Sequence, residues 1–528
     1  MTRIARASIY MIGLSLVISS ACSGVEEQEQ PQSFARQLAG NWPYAVTYEI
    51  FVQSFYDTNN DGIGDLPGVT EKLDYLKDLG VEAIWLMPIN PSPSYHKYDV
   101  TDYKEIHPDY GSLSDFKQLV KAAHDRNIKI VIDLVVNHTS SEHPWFKEAS
   151  GDSINDYRNY YLWANKDSIA QQILKKETTL DSDNITQWHA IESDSQHYYG
   201  FFWGGMPDLN LDNPQVKEEI FEIGRFWLED MDVDGFRLDA ARHIFPDDRP
   251  QDNHQWWVEF RNEMQKVKPD VFLLGEVYAD APTVTPYLEG LPALFNFDVA
   301  QGIIDAVKNE QGAPLLQRLL QIRQSYAQVN PDFIDATFLS NHDQNRIGSQ
   351  LAGDRAKIRM AASLLLTLPG SPFLYYGEEL GMLGVKPDEH IREPFNWDVD
   401  GKDPGETQWL DAKYSQDQAV APLSMQMSDT LSLYNHYKTL IELRNDHPAL
   451  TYGTMEPIPG SAASLCSFLR LYEQDSLWVL HNLSSSPQQV PMGQEVSALQ
   501  EVLFYNGLYS QDQEAITIAP YTTVILTN

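Results

Sequence analysis

Between Tyr44 and Gly384 the chain alternates short, β-rich apolar runs with longer stretches whose apolar positions return every three or four residues. The runs are Val46–Phe51, Ala83–Met87, Ile128–Val135, Gly235–Asp239, Val271–Glu276, Leu294–Phe297, Ala336–Leu339 and Phe373–Tyr376. Helical faces lie between several of them: Val69, Leu73, Leu76 and Leu79 follow one another at steps of four, three and three, and Phe116, Leu119 and Ala123 do nearly the same. Strands alternating with amphipathic helices predict a parallel sheet wrapped by helices, and eight such strands predict a (β/α)8 barrel of the TIM type.

The spacing has one excess. About a hundred residues separate the third run, ending near Asn137, from the fourth at Gly235, far more than one helix with its loops requires. An inserted subdomain over 138–210 is expected, splitting the barrel into 41–137 and 211–444. After Arg444 the pattern changes to short runs such as Cys466–Leu471, Leu477–Leu483, Leu499–Leu503 and Thr523–Leu526, which predict a C-terminal antiparallel β-sandwich over 445–528. Trp478 belongs to its expected core.

The first residues carry a different signal. Arg3 and Arg6 precede the apolar run Ile9–Ile18, and Ser19, Ser20 and Ala21 lead into Cys22. This reads as an export signal over 1–22, too short to span a bilayer in the mature protein. A cysteine directly after Ala21 resembles the bacterial lipoprotein cleavage box, so lipidation at Cys22 is expected, with simple secretion as the alternative. The polar, Glu/Gln-rich stretch within 23–40 reads as a tether. The expected location is the cell envelope, in the periplasm or at the cell surface, with membrane contact only through the lipid. The one other cysteine is Cys466, so a lipidated Cys22 leaves no intrachain disulfide.

Charge narrows the ligands. Over 528 residues, 38 Lys and Arg face 75 Asp and Glu, a net charge of −37. Such a surface repels phosphate backbones and anionic headgroups, which argues against nucleic acid as a partner and favours a neutral or cationic ligand.

In a barrel the chemistry sits at the C-terminal ends of the strands. Four segments there combine a carboxylate with other polar groups: Asp133-Leu-Val-Val-Asn137-His138, Gly235-Phe-Arg237-Leu-Asp239-Ala240, Leu274-Gly-Glu276-Val-Tyr278 and Ser340-Asn-His342-Asp343-Gln-Asn-Arg346. Converging carboxylates raise one another's pKa and suit paired nucleophile and general-acid roles. A separate stretch, Asp57-Thr-Asn59-Asn-Asp61-Gly62-Ile63-Gly64-Asp65, sets oxygen donors at alternating positions with Gly at the sixth. It matches the first nine positions of an EF-hand-type calcium loop, so Asp57, Asn59, Asp61, the Ile63 carbonyl and Asp65 are expected calcium ligands.

Together the four strand-end segments resemble the signature regions of the α-amylase superfamily, glycoside hydrolase family 13, and Met206-Pro207-Asp208-Leu209-Asn210 resembles its fifth region. Within it the chain is similar to bacterial α-amylases intermediate between oligo-1,6-glucosidases and neopullulanases. The resemblance implies Asp239 as nucleophile, Glu276 as general acid/base and Asp343 as the third carboxylate, which grips the sugar's hydroxyls. It implies that Arg237 keeps the nucleophile ionised and that Tyr98, His138, His243, His342 and Arg346 bind substrate, Tyr98 by stacking on a glucose ring. Lys97 stands where the family's Tyr-His-Gly-Tyr element has Gly. A second calcium, held by Asn137, Asp208 and the His243 carbonyl, is also implied.

Ala240, after the nucleophile, resembles enzymes that cut α-1,4 bonds. The implied activity is a retaining, endo-acting hydrolase of starch and maltooligosaccharides working through a covalent glycosyl-enzyme. Asp99 resembles an acid that exo-acting α-glucosidases use, which leaves an exo-α-glucosidase, an oligo-1,6-glucosidase or a neopullulanase-like enzyme as alternatives. A non-catalytic glucan-binding lipoprotein is the remaining class.

Overall fold

The computed structural model describes residues 41–151, 155–171, 187–192, 194–459, 462–491, 501–511 and 515–527. The export signal, Cys22 and the tether lie outside the described residues. Among the described residues no helix is long and apolar enough to cross a membrane.

Eight parallel strands close into a barrel: β1 (Thr47–Ile50), β2 (Ala83–Leu86), β3 (Lys129–Leu134), β4 (Gly235–Leu238), β5 (Phe272–Gly275), β6 (Ala293–Phe295), β7 (Ile334–Phe338) and β8 (Ser371–Tyr375). Each falls on one of the eight expected runs. The ladder runs in sequence order and β8 pairs with β1, Thr47 opposite Phe373, so no edge is left open. The inward-pointing layer contains Trp85, Val131, Phe272, Leu274, Phe295, Ala336, Phe338 and Phe373, which fill the barrel beneath the site.

The surrounding helices bury the faces that the three-and-four periodicity marks. Helix Leu113–His124 opens with a reciprocal capping box between Ser112 and Asp115 and buries Phe116, Leu119, Val120 and Ala123. The stretch with Val69 to Leu79 forms two short helices, Leu66–Glu71 and Leu73–Leu79, because Lys72 leaves helical geometry between them; Gly80 ends the second at φ 94°.

Between β3 and β4 stands a three-stranded antiparallel sheet, Trp163–Asn165, Gln196–Tyr199 and Trp188–Ala190, with Gln196–Tyr199 in the middle. Isolated bridges between His138 and Asp208 and between Tyr161 and Leu209 tie this excursion to the barrel mouth. After the barrel, a five-stranded and a three-stranded antiparallel sheet share a core of Leu465, Trp478, Leu480, Val490, Ile516, Ile518, Val524 and Leu526. Cys466 is fully buried on the opposite face of its strand, packed with the barrel's core. Buried Arg470 joins this unit to the barrel by donating to the carbonyls of Thr367 and Gly453, and beside it buried Arg444 of helix Leu433–Asp446 donates to those of Leu366, Leu368 and Gly370. The carbonyls of Leu366, Thr367 and Leu368 are free ones at the end of helix Arg355–Thr367, where positive charge is favoured.

Candidate active site

Register sets the first pair. Asp133 on β3 and Arg237 on β4 are direct neighbours in the parallel ladder and so face the same side. Arg237 is completely buried, and one terminal nitrogen lies 2.9 Å from each oxygen of Asp133 and 2.8 Å from Asp239 Oδ1. Its other terminal nitrogen lies 2.6 Å from Glu276 Oε2. Asp239 and Glu276 each stand one residue beyond their strands, and one guanidinium therefore holds both strand-end carboxyls side by side.

Between those two acids the backbone is unusual. Ala240 adopts φ 47°, a region an L-residue enters at a cost, and its N–H points to Glu276 Oε2 at 3.3 Å. Glu276 is pushed up to about 7: burial is the largest cause, Arg237 pulls the other way, and the charges of Asp239 and Asp343 push it up again. Burial thus contributes more to this shift than the converging acids expected from the strand-end pattern.

The third carboxylate has cationic company. His342 Nε2 lies 3.1 Å from Asp343 Oδ2, and Arg392 Nη2 lies 2.9 Å from Oδ1. Burial alone would raise Asp343, but His342 and Arg392 outweigh it and hold the carboxyl well below the usual carboxylate range. Its side chain is 45% exposed to the cleft, so cleft water screens both pairs. His342 itself is fully buried. Burial opposes its charge, yet Asp343 and Glu49 prevail and push it up to about 10, with Nδ1 2.6 Å from Glu49 Oε1.

A continuous buried network links the two sides of the mouth. Tyr98 OH accepts from His342 Nε2 at 2.6 Å and donates to Asp133 Oδ2 at 3.1 Å, and Asp133 passes the connection to Arg237. The Tyr98 ring stacks on His342 at 5.5 Å and 15°. His138 is buried, with Nε2 donating to the Tyr98 carbonyl at 3.2 Å, and burial lowers its pKa. His243 is half-buried and stacks on Phe201 at 4.1 Å.

Arg346 does not join this cluster. Its guanidinium is buried and donates to the carbonyls of Ile391 and Tyr376, which ties two loops together and leaves the expected sugar contact unsupported. The arginine in the cleft is Arg392, which no local signal in its loop distinguishes. Glu49 and Asp133 were equally unassigned; each is a charged residue inside a strand that is otherwise buried, and that was the available sign.

Lys97 explains how the chain manages without glycine. It adopts φ 63°, the left-handed conformation glycine takes freely, and is buried with Nζ 4.5 Å from the centre of the Tyr110 ring. Burial pushes its amine down to about 8. Asp99, two residues on, is 2% exposed, and its carboxylate accepts from the hydroxyls of Ser92 and Ser94.

The two expected metal loops differ. In the first, Asp57 accepts from the N–H groups of Asn59, Asn60 and Gly62, Asn59 from that of Asp61, and Asp61 from that of Ile63. Asp65 instead caps the next helix through Gly68 and binds Thr58. The oxygen donors suit a hard cation, although among the described residues no three His, Cys, Asp or Glu side chains converge. At the second, Asn137 donates to Asp208, a buried carboxyl that also accepts from Phe201 N.

A cavity of about 480 Å³ is lined by Tyr278, Phe297, Asp298, Gln344, Asn345 and Lys386; Tyr278 and Gln344 lie close in sequence to Glu276 and Asp343, which are not part of its lining. Another, of about 320 Å³ between helix Arg355–Thr367 and the 419–433 loop, includes none of the clustered carboxylates.

Comparison with known proteins agrees with this geometry. The family model described as "Alpha amylase, catalytic domain" matches residues 49–453, and "Alpha-amylase SusG C-terminal domain" matches residues 465–525. The chain is 42% identical to Alpha-amylase 3 of Dictyoglomus thermophilum, over 91% of this chain and 93% of that protein. It is 36% identical to a 4-alpha-glucanotransferase of Thermotoga maritima, over 83% and 96%. Among solved structures, the α-amylase from H. orenii superposes with a TM-score of 0.82 at 44% identity, covering 92% of this chain and 99% of that one.

Proposed function

The chain belongs to the α-amylase family of glycoside hydrolases, and from that membership we propose that it cleaves internal α-1,4 bonds of starch and maltooligosaccharides with retention of configuration. The observation that carries the reading is the sharing of one buried arginine by Asp239 and Glu276. Retaining glycosidases bring their two carboxyls to about 5–5.5 Å, whereas inverting enzymes leave a wider gap for water.

Asp239, ion-paired to Arg237, attacks the anomeric carbon. Glu276, whose pKa stands near neutrality, gives its proton to the departing glycosidic oxygen and then takes one from water, which releases the sugar from Asp239. Asp343, kept ionised by His342 and Arg392, accepts hydrogen bonds from sugar hydroxyls and favours ring distortion. Tyr98 and His342 form the aromatic wall at the cleavage point.

Endo action is favoured by Asp99. An exo-enzyme needs a free acid to hold a non-reducing end, and this carboxylate is already engaged by two serine hydroxyls. Calcium, held by Asp57, Asn59, Asp61 and the Ile63 carbonyl, would fix the loop after β1, with Asp65 capping the following helix; its chemistry is structural. Lipidation at Cys22 would place the enzyme at the cell envelope. Labelled fatty acid entering the wild type but not Cys22→Ser is the expected result, and equal labelling of both would refute it.

The deciding experiment is a product time course on soluble starch and maltoheptaose, with anomers followed by NMR. Early mixed oligosaccharides of α configuration, absent with Asp239→Asn, are expected. Glucose alone from the first time points would refute endo action, and β-anomers would refute retention.

A further inference from the structure

Trp203 is the one tryptophan among the large apolar residues exposed at the described surface, at 48%. The other described tryptophans are more enclosed. Its setting is rigid. Met206 N donates to the Trp203 carbonyl, closing a turn through Gly204 and Gly205. The six-membered part of the indole lies against Gly205, where an added Cβ would come within 2.3 Å of the ring carbons. The turn is fastened on three sides: Ser141 N donates to the Gly205 carbonyl, Thr139 N to the Pro207 carbonyl, and Tyr198 OH to the Gly204 carbonyl at 2.6 Å.

The residues leading into that turn pack on two of the expected substrate-binding histidines. Phe202, the preceding residue, packs edge-on to His138 at 5.4 Å, and Phe201 stacks on His243. An aromatic plate held by its own backbone suits one face of a sugar ring. It fits neither a phosphate nor an acidic partner, given the net charge of −37.

We propose that Trp203 is a stacking platform for a glucose unit of an α-glucan chain away from the scissile bond, making it a residue that selects long substrates. The proposal rests on the α-glucan reading above. Binding energy gathered at such a distance assists cleavage of long chains and is unavailable to short ones.

The full-length enzyme is assayed on maltotriose, maltoheptaose and soluble starch as wild type, Trp203→Ala, Trp203→Phe and Gly205→Ala. Trp203→Ala is expected to lower kcat/KM about fivefold to tenfold for maltoheptaose and starch, the size of one aromatic contact, with maltotriose changed less than twofold. Trp203→Phe keeps most of the preference. Gly205→Ala, which displaces the indole without removing it, shifts the ratio as Trp203→Ala does. Equal losses on all three substrates, or an unchanged ratio, would overturn the platform. Maltoheptaose affinity of Asp239→Asn with and without Trp203→Ala decides the matter without turnover. A weaker isotherm supports the platform and an identical one overturns it, while a wild type that binds but never hydrolyses fails the functional reading alone.

Discussion

Lys97 combines a left-handed backbone with a buried ammonium, which makes its replacement quantitatively informative. The amine is pushed from about 10.5 down to about 8, so the fold carries this charge at a penalty when the pH is below about 8. At about 1.4 kcal/mol per pH unit, the gap corresponds to about 3 kcal/mol. The folded form releases its proton near pH 8 while the unfolded chain holds its own until about 10.5. Stability from this group therefore rises with pH between those values. Lys97→Met removes the charge and keeps the left-handed backbone. It also gives up the contact with Tyr110, which opposes the gain by about 1–2 kcal/mol. The variant should unfold at higher urea concentration than the wild type at pH 7, and the difference should fall by most of that 3 kcal/mol towards pH 10.5. Lys97→Gly should be about 1–2 kcal/mol more stable than Lys97→Ala at every pH, since the two leave nearly the same space and differ in the left-handed strain. Tryptophan fluorescence at pH 7, 8.5 and 10 measures the midpoints, and other titrating groups cancel between variants. A wild-type-to-Met difference that stays constant with pH would refute the buried-charge argument, and a Gly variant no more stable than Ala would refute the strain argument.

Three further outcomes follow from the site. kcat/KM should fall above pH about 7 as the buried Glu276 loses the proton it donates; with a glycoside whose leaving group needs no acid, Glu276→Gln should retain the first chemical step and lose that limb, as a pH–rate profile shows. Arg392→Met should lower kcat/KM about tenfold to hundredfold, the range for one charge-assisted hydrogen bond to Asp343, and Arg392→Lys should restore part of it in steady-state assays. Chelation should lower the wild-type Tm and leave Asp57→Ala unchanged by comparison; equal shifts in both by calorimetry would remove calcium from that loop.

The sequence by itself determined the barrel and the acids on its rim. Eight apolar runs are forced by burial on both faces of a parallel sheet, and a polar residue ending such a run has only the barrel mouth to occupy, so Asp239 and Glu276 were readable one strand at a time. The tertiary structure decided the partnerships. Glu49, Asp133 and Arg392 meet His342, Arg237 and Asp343 across 293, 104 and 49 positions of chain, separations that leave no local pattern. Arg346 shows the converse: it stands three residues from Asp343, yet folding turns it to the carbonyls of Ile391 and Tyr376. Periodicity records which side of an element is buried; which buried charges meet depends on register and loop path, fixed only when the barrel closes.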